Sequence, residues 1–314
     1  MIEFIVRRVL LLIPVLTLIS AVSFGIIYIT PGDTAKNALM SPSGGANEKA
    51  VEEFRIQQGL DKPIHIQYLT WMGKVLHGDL GYSYMTNEGV SDAILRTFGA
   101  TLKLAIVSML ISLLIAIPAG IIAALKHGTI IDDLFRFTAL FGVSMPNFWQ
   151  AYIMIIVFAL FLKVLPSSGY GSGDLSHIIL PAITLGTGYA AVTMRLMRAS
   201  MLDVLRQDYI RAARAKGLPE YLVISRHALK NSLIPVVTMA GLNFGYLLNG
   251  SVIVETIFSW PGLGKLIVSS ILTKDYPMIQ GCILFIAVIF VLINFAVDLS
   301  YAYLNPRIRY ETRN

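Results

Sequence analysis

The stretch DVLRQDYIRAARAKGLPEYLVISRHALKNSLIP, residues 203–235, lies between two segments apolar enough to cross a bilayer. A basic, water-facing run of helix, Gly-Leu-Pro turn and second helix has no use inside lipid. Ala212, Ala213 and Ala215 allow close approach to another surface. Gly217 stands where a helix C-terminus favours a residue at positive φ. Pro219 suits the first turn of a new helix, and Glu220 suits its positive dipole end. The pattern predicts a helix from about Asp203, a tight turn, and a second helix to about Asn231, with Pro235 opening the next span. Such an element serves a soluble partner on one side of a membrane. On spacing alone, an ordinary loop held at the lipid surface by its positive charge reads equally well.

Working outward, composition sets the class. Hydrophobic residues make up 55% of the chain and charged residues 14%, whereas soluble domains carry about 25% charged residues. The apolar residues gather into runs long enough to span, for which about 20 residues are needed. Six are read: Val9–Ile29, Leu102–Leu125, Leu134–Leu162, Ile178–Met197, Leu233–Ile257 and Gly281–Leu304. The fourth is diluted by Thr184, Gly186, Thr187, Gly188 and Thr193. Small and hydroxyl residues are what packed membrane helices use to approach one another, so it reads as a buried span. Pro118 and Pro146 are expected to kink the second and third. The apolar run after Arg7 and Arg8 exceeds an ordinary signal-peptide core, which favours an uncleaved first helix.

Lysine and arginine set the orientation. Arg7, Arg8, Lys126, Arg136, the cluster from Arg195 to Lys230, and Arg307, Arg309 and Arg313 fall on one side; Lys163, Lys265 and Lys274 fall on the other. Both termini are therefore expected in the cytoplasm. The organisation is then a first helix over 1–30, an extracytoplasmic region over 31–98, and a five-helix core over 99–314 carrying the cytoplasmic segment 203–235. Within the outer region, Pro31-Gly32-Asp33 and Ser41–Gly45 read as turn and loop. Ala46–Gln58 and Ile64–Leu76 read as amphipathic helices, with Tyr68 and Trp71 suited to the interface. The region serves as a cap over the outer mouth, as a docking platform for an external protein, or as both. The net charge of +6 is thus a topology signal; nucleic-acid binding would want basic residues with interleaved aromatics on one soluble face.

Chemistry-bearing residues are sparse. Cys282 is the single cysteine, and the five histidines are scattered over loops, so neither a thiolate metal site nor a helical histidine pair forms. Ionisable residues in or beside spans are functional suspects: Arg195 and Arg198 at the inner end of the fourth, Glu255 near the outer end of the fifth, and Asp298 near the inner end of the sixth. The alternative for each is structural pairing, Asp298 with an arginine for example. Asn243, Asn249 and Asn294 are expected to bond across helices. Gly262 and Gly264 suggest a tight outer loop or re-entrant turn. The glycine-rich run Gly169–Gly173 follows no strand and reads as loop.

Arg211-Ala212-Ala213-x-x-x-Gly217 resembles the EAA motif of ABC importer permeases, with Arg211 in the usual glutamate position. The longer run, DYIRAARAKG then HALKN then IPVV, resembles one class of them, the dipeptide/oligopeptide/nickel permeases. So do Ile29–Asp33, Leu60–Pro63, Gly78–Gly81, Ser144–Pro146, His177–Ala182, Glu255–Gly264, Asp275–Pro277 and Asn305–Arg309. The resemblance covers the chain in order.

It implies an all-α integral membrane protein of the type I ABC importer permease architecture, with an extracytoplasmic insertion after helix 1, in the cytoplasmic membrane of a bacterium or archaeon. The chain would be one of two unlike, homologous permease subunits. Two ATPase subunits would dock from the cytoplasm on Arg211, Ala212, Ala213, Gly217, Leu218, Pro219 and Glu220, and a solute-binding protein would deliver cargo outside. Arg195, Glu255 and Asp298 are candidates for gating or pathway roles. No cofactor and no catalysis are expected in this chain; ATP and Mg belong to the ATPases, in keeping with the absence of a GxxxxGK[ST] loop. Short peptides head the cargo classes. Nickel or a metal chelate comes second, and glutathione-like or opine-like solutes are further options. A secondary transporter or channel would place coupling charges near the midplane. A membrane enzyme would need a nucleophile or metal set, and neither HExxH nor GxSxG occurs.

Overall fold

A computed structural model describes residues 2–29, 35–36, 39 and 47–304. Among these residues no strand forms; the backbone is helical, with an isolated antiparallel bridge between Tyr82 and Gly89. Helices satisfy their own N–H and C=O groups, the requirement lipid imposes on any spanning segment. The expected Pro31–Asp33 turn, the Ser41–Gly45 loop and the Asn305–Arg309 run lie outside the described residues.

The helices are α1 (Ile2–Ile29), α2 (Glu48–Gln57), α3 (Ile64–Leu76), α4 (Val90–Leu125), α5 (Ile130–Ser144), α6 (Asn147–Met154), α7 (Leu175–Leu205), α8 (Asp208–Ala215), α9 (Leu229–Gly250), α10 (Val252–Ile257), α11 (Leu263–Thr273) and α12 (Tyr276–Leu304). Two π-helical segments interrupt them: Ile155–Phe161 continues α6, and Val223–Ala228 joins a single α-turn, Glu220–Leu222, to α9. Among the described residues, four helices are long and apolar enough to cross a membrane, or five if the bent pair α5 and α6 counts as one. The chain folds as two compact units, one of residues 1–100 and 262–292, the other of 101–261 and 293–314.

In the first unit, Phe24 of α1 is buried against Tyr68 and Trp71 of α3, with ring centroids 5.5 and 5.6 Å away. Ser20 shares a 2.8 Å hydrogen bond with the Tyr68 hydroxyl. These aromatics thus seat α3 on α1. Asn47 caps α2 by accepting from Lys49 N–H at 3.1 Å. A second apolar cluster gathers Val90, Ala93 and Ile94 with Leu263, Met278 and Cys282. A side chain at Gly281 would meet Val90 Cγ1 at 2.4 Å, so glycine is needed for α12 to lie against α4.

The second unit is organised by α7. It is the most buried of the four spanning helices, with half of its apolar window inside. Its residues show why: Ala182, Thr184, Gly186, Ala190, Ala191 and Thr193 are all buried and small. A Cβ on Gly186 would lie 2.7 Å from the Ser108 carbonyl oxygen, and one on Gly120 would lie 2.8 Å from that of Met194. The backbones of α4 and α7 therefore touch at two levels, the packing that the diluted sequence of this span predicts. Elsewhere large apolar side chains face outward, among them Leu114 (73% exposed) and Phe137 (67%). Lipid, not water, is the solvent that tolerates such a surface.

Three expectations need correction. The third span is not a kinked helix: α5 and α6 are bent by 102° at the break ahead of Asn147. Pro146 has no N–H and sits extended (φ −62°, ψ 138°), so it opens α6 after a full stop. Second, Pro235 opens no span; it lies inside α9, which continues the helix begun at Glu220. Third, Asp203 belongs to α7, which runs on to Leu205. Pro118, by contrast, lies within an unbroken α4.

Gly186→Val should overpack the α4–α7 contact, at a cost of about 1–3 kcal/mol, and lower the thermal unfolding midpoint of the detergent-solubilised protein. Gly99→Ala, also in a helix but with open space around it, should leave the midpoint no lower than wild type, because alanine is the better helix former.

Candidate functional site

The 203–235 segment forms the helix-turn-helix its sequence predicts, with shifted ends. Arg206 closes α7; Gln207, extended at φ −71° and ψ 149°, starts α8. Gly217 sits at φ +76°, a conformation that makes the turn and that L-residues rarely adopt. Pro219 (φ −64°, ψ 143°) caps the next turn at Glu220. Across this turn Arg214 forms a forked pair with Glu220, Nη2 to Oε1 at 2.6 Å and Nε to Oε2 at 3.1 Å. The pair is solvent-exposed, so its worth is roughly 0–1 kcal/mol; its geometric effect is to hold the turn closed.

What fixes α8 is apolar. Ile210 and Ala213 are buried with Met197 and Met201 of α7, Ala124 of α4, and Val223, Ala228 and Val236 of the following helix. Leu218 packs against the same cluster. Ser200 donates to the Ser232 carbonyl at 3.0 Å, tying α7 to α9, and Asn231 donates to the Tyr209 hydroxyl at 2.7 Å. The seven motif residues therefore divide. Ala213 and Leu218 face inward as anchors. Arg211, Ala212, Gly217, Pro219 and Glu220 are exposed, forming a ridge with Arg214 on a firmly seated base. Arg211 pairs with Asp208, one turn back, at 3.0 Å, and donates to the Arg206 carbonyl at 3.5 Å.

The ionisable suspects have different surroundings. Arg195 is exposed on α7. Glu255 on α10 is wholly buried, and its Oε1 accepts from Thr101 and Ser251 hydroxyls at 2.8 Å each. Its backbone carbonyl accepts from Trp260 N–H at 2.8 Å, and Tyr170 meets the Trp260 ring edge-on at 4.8 Å. Glu255 thus organises the loop that follows α10. Asp298 lies on α12, its side chain outside the described ones. Asn243 donates to Thr193 at 3.4 Å, an α9-to-α7 bond of the kind expected. Asn249 lies outside the described side chains.

Sequence reasoning missed Asp132. This carboxylate is 1% exposed and grips Arg198 with both oxygens, Oδ1 to Nε and Oδ2 to Nη2, each at 2.6 Å. Gly128 N–H donates to Oδ2 at 3.1 Å, and His127 Nδ1 lies 3.2 Å from it. The pair locks the 126–129 turn and the start of α5 onto α7, next to Met197 and one helical turn from Met201, the methionines that seat α8. The available signal was an Asp-Asp pair after Thr129, the signature of a helix N-terminus.

Comparison with known proteins agrees with this architecture. Residues 116–310 match the family described as binding-protein-dependent transport system inner membrane component, and residues 1–105 match its N-terminal component. The chain belongs to this family and is a permease of the ABC importer type. It is 43% identical over 311 residues to the glutathione transport system permease protein GsiC of Escherichia coli (strain K12), covering 99% of this chain and 100% of that one. It is 42% identical over 336 residues to the dipeptide transport system permease protein DppB of Alkalihalophilus pseudofirmus, again covering 99% and 100%. Among solved structures, the inward-facing MetNI methionine ABC transporter shares the fold with TM-score 0.55 at 21% identity, over 68% of this chain and 96% of that one. A crystal structure of an amino acid ABC transporter matches with TM-score 0.52 at 16% identity, over 68% and 94%. The chain is an integral, multi-pass protein of the cell membrane.

Asp132→Asn should weaken two charge-assisted hydrogen bonds and leave Arg198 half-paired. A loss of about 1.5–3 kcal/mol is expected, the range for hydrogen bonds to charged groups. Thermal unfolding should show it, and Arg198→Met in the same chain should restore part of the loss.

Proposed function

We propose that this chain is the translocating permease subunit of an ATP-driven importer of short peptides, and that the 211–220 ridge couples it to the motor. The observation that carries the coupling role is the division of the motif. An apolar underside fixes α8 to the inner ends of α4, α7 and α9, while an exposed rim of Arg211, Ala212, Gly217, Pro219 and Glu220 is presented to another protein. A push on that rim is transmitted to the spans because the anchor does not yield. The family assignment and the full-length similarity to glutathione and dipeptide permeases support peptide cargo.

The remaining parts of the reading follow from it. Six spans cross the membrane, α1 being the first and the bent α5–α6 pair the third. Both termini face the cytoplasm and residues 31–98 face outward. A second, homologous permease subunit completes the pathway, two ATPase subunits bind ATP and Mg, and an external solute-binding protein delivers cargo. The chain itself carries no catalysis. ATP binding draws the ATPases together, moves both ridges and switches the bundle between inward and outward openings, a two-state element biased from both ends. Arg195, Glu255 and Asp298 remain candidates for gating, with Glu255 placed to report the state of the outer loop through Trp260.

Gly217→Val forces a β-branched residue to positive φ, with free space around it, so the strain falls on the turn alone. Membrane insertion should be normal, while copurification with the ATPases and uptake should fall at least ten-fold. Wild-type uptake with ATPases bound would remove the ridge from the coupling role.

Cargo is tested in a deletion strain auxotrophic for one amino acid. It should fail to grow on a dipeptide supplying that residue, yet keep normal nickel-dependent enzyme activity. Loss of nickel uptake with intact dipeptide growth would make metal the cargo.

A further inference from the structure

The first unit holds a cavity of about 160 Å³, comparable in size with cavities that admit a benzene-sized group. Phe24 and Gln280, both buried, contribute to it from α1 and α12; Trp71 of α3 and Tyr84 are half-buried in its lining; Lys62, Lys74 and Asp79 are exposed residues of the same lining. Gln280 is 5% exposed, and its Nε2 is buried with no hydrogen-bond partner among the described residues. A buried amide donor left unpaired costs roughly 1–3 kcal/mol, and Gln280 belongs to the lining of this cavity, so an acceptor that enters from outside would relieve that cost. The charged lining residues carry two lysines against one aspartate, which favours that acceptor being anionic. Tyr84 does not compete. Burial, aided by the nearby Asp275 charge, pushes its phenol up to about 12, so it stays protonated at neutral pH. Phe24 and Trp71 offer an apolar wall beside the polar groups.

We infer that this pocket binds a small molecule with an anionic head and an apolar flank, the head accepting from Gln280 Nε2 and drawn by Lys62 and Lys74. The inference rests on the outward orientation of residues 31–98. A carboxylate of a short peptide and a phosphate of a phospholipid head group offer this same chemistry, and experiment separates them. Binding of radiolabelled alanyl-phenylalanine to the purified, delipidated permease–ATPase complex is measured by equilibrium dialysis without ATP or binding protein. Saturable binding should appear. It should weaken at least ten-fold in Gln280→Leu and in the double variant Lys62→Ala/Lys74→Ala, and stay unchanged in Lys49→Ala, on the exposed face of α2. The lysine variants alter exposed side chains only, so they remain informative if Gln280→Leu fails to fold.

If the dipeptide does not bind, mass spectrometry of phospholipid retained by the complex before delipidation decides. A ten-fold lower retention in the same variants assigns the pocket to a lipid phosphate. Equal dipeptide binding and equal lipid retention in wild type and both variants would overturn the inference. Dipeptide uptake by cells, measured alongside, separates this from the cargo reading: uptake with no pocket-dependent binding sinks the pocket alone, whereas absent uptake sinks the cargo reading and leaves the lipid arm to judge the pocket.

Discussion

The close approach of α4 and α7 is the contact on which the second unit depends. Within lipid no hydrophobic force drives helices together; dispersion and fit must do so. Gly186 under the Ser108 carbonyl and Gly120 under that of Met194 let two backbones touch where any side chain would separate them. Methionines then fill the space below. Met194 packs with alanines of α4, and Met197 and Met201 reach the underside of α8. The same helix is thus a packing axis in the bilayer and a mount for a polar element outside it.

That arrangement explains why so much was legible. Long apolar runs identify spanning helices because the bilayer sets their length, and the small residues of α7 announce its burial. The turn at Gly217 and the helix over Ile64–Leu76 follow from local chemistry and stand where the residues place them. What the residues do not reveal is non-local. Asp132 and Arg198 are 66 positions apart, and nothing in either neighbourhood names the other. The reach of a proline is equally contextual: Pro146 ends a helix and turns the chain by 102°, while Pro118 and Pro235 ride inside helices.

The division of the Arg211–Glu220 motif has a similar lesson. Read as a string, its alanines are alike. In the fold Ala212 is exposed and Ala213 is buried, because adjacent residues on a helix lie about 100° apart. A match to a motif therefore mixes residues that meet a partner with residues that hold the meeting surface still. Substitutions of the two kinds are expected to differ in what they damage, the first affecting recognition and the second the stability of the element.

The π-helical segment Val223–Ala228 lies between that motif and the apolar body of α9. A π-turn accommodates one residue more than an α-turn, so everything beyond it is rotated by about 100° relative to an unbroken α-helix. Val223 and Ala228, five residues apart, are buried in the same apolar cluster as Val236 of α9, and the extra residue of the wide turn is what brings them onto one stripe. The wide turn therefore stands at the junction between the Arg211–Glu220 motif and α9, where it sets the azimuth of the one relative to the other.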